Sequence, residues 1–167
     1  MRTFIESQFN YCPLVWMFHS RILNAKINKL HERALRLVYK NDNLTFEQLL
    51  ENDKSMTIHD RNLQKLAIEM YKAKQKLSPL PVQELFKKRD DIHNLRQERC
   101  WEVPRVQTVN YGIETLRYRG IKTWDLIPDD IKSSKSLPIF KQKIKEWRPE
   151  GCTCRLCKEY IFNLGYL

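Results

Sequence analysis

Three of the chain's five cysteines crowd into "GCTCRLCKEY", residues 151–160. Cys154 and Cys157 have the C-x-x-C spacing that lets two thiolates grip one zinc ion, and Cys152 offers a third thiolate two residues earlier. A closed zinc site takes four ligands, so the fourth must come from elsewhere in the fold: Cys100, Cys12 or a histidine such as His93. The usual second C-x-x-C or H-x-H pair is missing. From the cysteines alone, zinc, free structural thiols and redox chemistry all stay open.

The second constellation is electrostatic. In "SRILNAKINKLHERALRLVYK", Lys26, Lys29, Arg33, Arg36 and Lys40 follow i, i+3, i+4 spacing. At 100° per residue they share an arc about 80° wide on one helix. Like charges so placed repel by about 0.2–0.5 kcal/mol per pair, a cost that an anionic partner would remove. A phosphate backbone is the natural partner, with a solvated face, or one paired with the acids of residues 42–60, as the alternative. Glu32 is the helix's only acid and sits off the ridge. Tyr118 between Arg117 and Arg119 is a third candidate: on an alternating strand it would show a ring for base stacking on one face and two cations on the other. The remaining large aromatics read as core.

Enzyme chemistry finds little support. The sequence has no nucleophile elbow, phosphate-binding glycine loop or H-E-x-x-H. His19, His31, His59 and His93 are scattered, and His31 reads as a core-edge residue. Asp90–Asp91 and Asp129–Asp130 read as turn or cap signals rather than a metal-binding carboxylate pair.

Composition narrows the partner class. The 167 residues are 42% apolar with a net charge of +10, which excludes a disordered chain and favours a polyanion. Residues 1–41 hold seven Lys/Arg against two acids, residues 42–60 five acids against Lys54, and residues 61–80 five cations against one acid. No run of about 18 apolar residues suggests a membrane span. The odd, clustered cysteines and the lack of a secretory pattern imply a reducing compartment, nuclear or cytoplasmic and not secreted.

The elements that would carry these residues are mostly helical. Pro13 breaks an apolar N-terminal helix. Ser20 caps the basic helix, whose core stripe is expected to be Ile22, Leu23, Ile27, Leu30, Ala34, Leu37 and Val38. Thr45 and Gln48 form a capping box before "FEQLLE", and Thr57 or Ser55 caps a long helix that "SPLP" at 78–81 stops. Val, Thr, Tyr and Trp enrichment predicts a β-hairpin around 101–119, at an edge because of Pro104. A last helix near 137–147 buries Phe140, Ile144 and Trp147. The fold class is mainly α: a helical region over 1–80, an α+β region with the hairpin and final helix over 81–150, and a Cys-rich tail over 151–167.

Together, "SQFNYCPLVWMFHSRILNAKINKLHERALRLVY", "TIHDRNLQKLAIEMYKAK", "YGIETLRYRGIKTWDLIPDDIK" and "FKQKIKEWRPEGCTCRLCKEYIFNLGY" resemble the C-terminal part of reverse transcriptases from LINE-type, non-LTR retrotransposons. The resemblance runs from about Ser7 to the end, with the blocks in the family's order. It implies the thumb and the segment after it. The family's polymerase aspartates lie upstream in an aromatic-x-Asp-Asp motif, whereas here Asp90–Asp91 follows Lys88–Arg89 and Asp129–Asp130 follows Ile127–Pro128. The implied function is therefore non-catalytic: a fragment of an RNA-directed DNA polymerase that lays a basic helix on an RNA/DNA or DNA duplex. The alternative is a structural module that packs on a palm domain. Related elements carry a C-terminal Cys/His zinc knuckle, from which the short spacing of Cys152, Cys154 and Cys157 departs.

Overall fold

The hydroxyls of Ser20, Thr45, Thr57 and Thr115 cap the starts of four of the described helices. The computed structural model describes residues 5–41, 43–87, 101–108, 112–152 and 154–157, and these are mainly helical. The chain divides into two units, residues 1–62 with 155–167, and residues 63–154.

In the first unit, α1 (Ile5–Asn10) ends before Pro13, which opens α2 (Pro13–Trp16) at a position where its missing N–H costs nothing. α3 (Arg21–Tyr39) starts at Ser20, whose hydroxyl accepts from the Leu23 N–H at 3.5 Å. It stops where Lys40 turns left-handed at φ 49°. α4 (Phe46–Asn52) has the reciprocal capping box: Thr45 N–H donates to Gln48 Oε1 at 2.9 Å, and Gln48 N–H to Thr45 Oγ1 at 3.3 Å. α3 packs on α4, and Leu35, Leu49 and Leu50 form the core, with Leu44 and Phe46 against it. The buried His31 ring meets Phe46 edge-on at 5.7 Å.

The core stripe expected on α3 needs correction. Of its members only Ala34 is buried, beside His31 and Leu35, which the stripe did not include. Ile22, Leu23, Leu30, Leu37 and Val38 are exposed. α4 has only seven residues and meets one side of a nineteen-residue helix, so most of the apolar surface of α3 stays open.

α5 (Ile58–Lys74) begins at Thr57, whose hydroxyl accepts from the Asp60 N–H at 3.1 Å and donates to the Asp60 carboxylate at 2.7 Å. In the second unit its buried residues Leu63, Leu66, Ala67, Met70 and Tyr71 face the core. That unit adds α6 (Leu80–Leu85), α7 (Leu116–Leu126), α8 (Asp129–Lys132) and α9 (Leu137–Glu146). Phe140 of α9 stacks between Tyr71 at 4.3 Å and Trp124 of α7 at 6.2 Å. Tyr71 also donates its hydroxyl to the Ser134 carbonyl at 2.7 Å, so its polar end is satisfied inside the core. Gly120 lets α7 come close: a Cβ there would meet Met70 Sδ at 2.8 Å and Phe86 Cε1 at 2.9 Å. The expected stripe on the last helix is present, with Phe140, Ile144 and Trp147 all buried.

The hairpin expected around 101–119 is not formed by the described residues there. Trp101 is buried against Phe86, and residues 112–115 make a turn in which Thr115 Oγ1 donates to the Gly112 carbonyl at 2.8 Å. Thr115 then caps α7, accepting from the Tyr118 N–H at 3.4 Å. Asn110 lies outside the described residues. A local cap and an ion pair across five residues, Glu114 with Arg119, outweigh β-propensity in this stretch.

Candidate metal centre and basic helix face

The fourth group for the cysteines comes from the second residue of α5. His59, Cys152, Cys154 and Cys157 bring four ligand atoms within 4.8 Å of one another, a set that could hold a metal ion. His59 Nε2 lies 3.3 Å from Cys157 Sγ. In a tetrahedral site with zinc–sulfur near 2.3 Å and zinc–nitrogen near 2.0 Å, a sulfur and a nitrogen ligand stand about 3.5 Å apart and two sulfurs about 3.8 Å, so the His59–Cys157 spacing is close to that of a shared ion. Cys152 and Cys154 are buried, while Cys157 and His59 are half-buried.

Two local features position these groups. The Thr57–Asp60 cap fixes the first turn of α5 and hence the start of the His59 side chain. On the cysteine side, the buried Gln64 amide donates to the Lys145 carbonyl at 3.2 Å and the Trp147 carbonyl at 2.9 Å, anchoring the end of α9. Gly151 then turns the chain at φ 75° into Cys152. Three thiolates and one imidazole are soft, nitrogen- and sulfur-donating ligands, which suit zinc rather than magnesium or calcium. If all four groups bound one ion, no position would stay open for a substrate, the arrangement of a structural site.

Of the ligands considered from sequence, Cys152, Cys154 and Cys157 are together. Cys12 is exposed and outside the cluster, and Cys100 and His93 lie outside the described residues. His59 carries no local signal: the cysteines beside it arrive through folding.

On α3, Lys26, Lys29, Arg33 and Lys40 are exposed, and no ion pair involves them among the described residues. Lys26 and Lys29 line an open groove with Arg21, Ile22 and Ala25. Arg36 differs from its neighbours. It is half-buried and donates from Nη2 to Glu32 at 2.7 Å, one turn earlier, so Glu32 draws it off the ridge.

The Arg117–Tyr118–Arg119 candidate changes character because it lies on α7 and not on a strand. Arg119 is buried and paired with Glu114, with Nε to Oε2 at 3.1 Å, so it cannot reach a phosphate. Arg117 Nε is buried without a hydrogen-bond partner among the described residues, and Tyr118 is half-buried with Lys122 Nζ 5.8 Å from its ring centroid. Helical geometry turns these three side chains by about 100° per residue, which removes the alternating display.

Among the described residues, no helix is long and apolar enough to cross a membrane. No protein-family model, curated protein or solved structure matches the chain.

Proposed function

We propose that this chain is a non-catalytic module of the LINE-type reverse transcriptase kind that grips the backbone of an RNA/DNA or DNA duplex with α3, and that zinc on His59, Cys152, Cys154 and Cys157 braces its Cys-rich end. The observation that carries the nucleic-acid reading is the exposed row of Lys26, Lys29, Arg33 and Lys40, free of ion pairs among the described residues. Each cation placed on a phosphate releases a condensed counterion, which gives binding without sequence preference and a steep salt dependence. The non-catalytic reading rests on the sequence, which lacks an aromatic-x-Asp-Asp motif. Zinc supplies a rigid crosslink here and no chemistry.

The test is duplex affinity against salt for the chain and for the triple variant Lys26→Ala, Lys29→Ala, Arg33→Ala. The slope of log K on log salt should flatten by about 0.9 for each lost phosphate contact on B-form DNA. An unchanged slope would remove α3 as the phosphate-binding face.

A second reading, a module that packs on a palm domain, draws on Tyr11, just before α2, and Val15 within it, which are 75% and 80% exposed. Its sign would be a purified palm domain that binds the chain and loses affinity on Tyr11→Ser, Val15→Ser.

A further inference from the structure

Leu23, Leu30 and Leu37 stand seven residues apart along α3 and are 48%, 54% and 77% exposed. Ile27 and Ala34 fall between them, so the spacing alternates four and three, the pattern of a helix–helix seam. At 100° per residue the five positions share an arc of about 80°. Only Ala34 is buried, and Ile27 is half-buried. Leucine gains nothing from phosphate, so this stripe is unused by a duplex on the neighbouring ridge.

A row of cations runs beside the stripe with the same period. Lys26 and Arg33 each lie about 60° round the helix from a leucine, Lys40 follows at the left-handed end of α3, and all three are exposed. On the other flank stand Asn24, His31 and Val38, none of them an acid. A second copy of the chain therefore fits poorly. Antiparallel pairing would set cation against cation, and parallel pairing would set the cations against that uncharged flank. The complement is a helix with an apolar stripe and carboxylates along its edge.

We propose that α3 docks an acidic amphipathic helix of a partner protein, with Leu23, Leu30 and Leu37 buried in the seam and Lys26, Arg33 and Lys40 paired with the partner's carboxylates. Given the duplex-binding reading, such a partner takes three cations of the phosphate ridge, so helix and duplex exclude each other.

The experiment titrates the full chain into two fluorescein-labelled four-heptad peptides, both with leucine at the seam positions, one with glutamate and one with lysine on the flanks. The acidic peptide should bind and the basic one should not. Leu30→Gln with Leu37→Gln should weaken the acidic peptide at least about tenfold while leaving duplex affinity unchanged. Both leucines are exposed, and an unaltered helical circular dichroism spectrum would confirm that the variant is folded. The acidic peptide should also displace a bound duplex. Equal binding of both peptides, no binding of either, or indifference to the leucine changes would overturn the docking site. So would a dimer in sedimentation that Leu30→Gln, Leu37→Gln dissociates, or leucine-dependent capture by phosphatidylserine vesicles without peptide binding. Failure of the unsubstituted chain to bind the acidic peptide while it still binds duplex would sink this inference alone. The triple alanine variant's salt slope tests the duplex reading separately.

Discussion

His59 Nε2 stands 3.3 Å from Cys157 Sγ although 98 residues separate them, and Cys152 and Cys154 complete the group. Bare thiolates so close would repel, and a divalent cation on all four groups removes that cost. The chain purified under reducing conditions should carry one equivalent of zinc by elemental analysis. His59→Ala and Cys154→Ser should each lower zinc affinity by at least about a hundredfold, because a structural site uses all four ligands. Cys12→Ser, outside the cluster, should leave the metal content unchanged. Cobalt substitution should give the intense visible bands of a tetrahedral thiolate site, weakened in both ligand variants.

Protons compete with zinc for the same lone pairs, so metal affinity must rise with pH. A chromophoric chelator should take zinc from the chain more readily at pH 6 than at pH 8. Because a metal that binds only the folded chain stabilises it, chelation at pH 8 should lower the thermal midpoint, and returned zinc should restore it. A midpoint indifferent to zinc and chelator would show that the cluster does not brace the fold.

Three of the four clustered groups were legible in the sequence because C-x-C-x-x-C is local. The fourth was not, since nothing near "TIHDRN" marks His59 as a partner for residues almost a hundred positions away. The same division runs through the fold. Ser20, the Thr45–Gln48 box and Thr57 act over three residues and could be read directly. Periodicity on α3 marks the helix but not which side α4 covers, so a core stripe drawn from periodicity alone is too broad. The stretch before α7 has strand-like composition, and the Glu114–Arg119 pair that favours a helix start there is invisible to propensity.

Gln64 offers a measurement of how the cysteine end is anchored. Its buried amide donates to the carbonyls of Lys145 and Trp147, where α9 has run out of its own donors. Gln64→Leu keeps the volume roughly but leaves those carbonyls without this donor. The variant should lose about 1–3 kcal/mol in urea unfolding. If the Cys loop depends on that anchor, zinc affinity should fall as well. A stable variant with full zinc affinity would show that Gln64 only fills space.

Glu114 and Arg119 form a buried ion pair, with side chains 12% and 7% exposed. Removing one partner leaves a charge without compensation in a poor solvent, which is worse than removing both. Glu114→Ala should therefore destabilise the chain by about 3–5 kcal/mol. The double replacement Glu114→Leu, Arg119→Met should cost much less, because a buried pair repays little more than its own desolvation. The two denaturation midpoints give the comparison directly. A double variant as unstable as Glu114→Ala would mean that the pair sets the turn before α7 and does more than neutralise Arg119. Duplex affinity should be the same in the double variant as in the parent chain, since Arg119 is too buried to meet a phosphate.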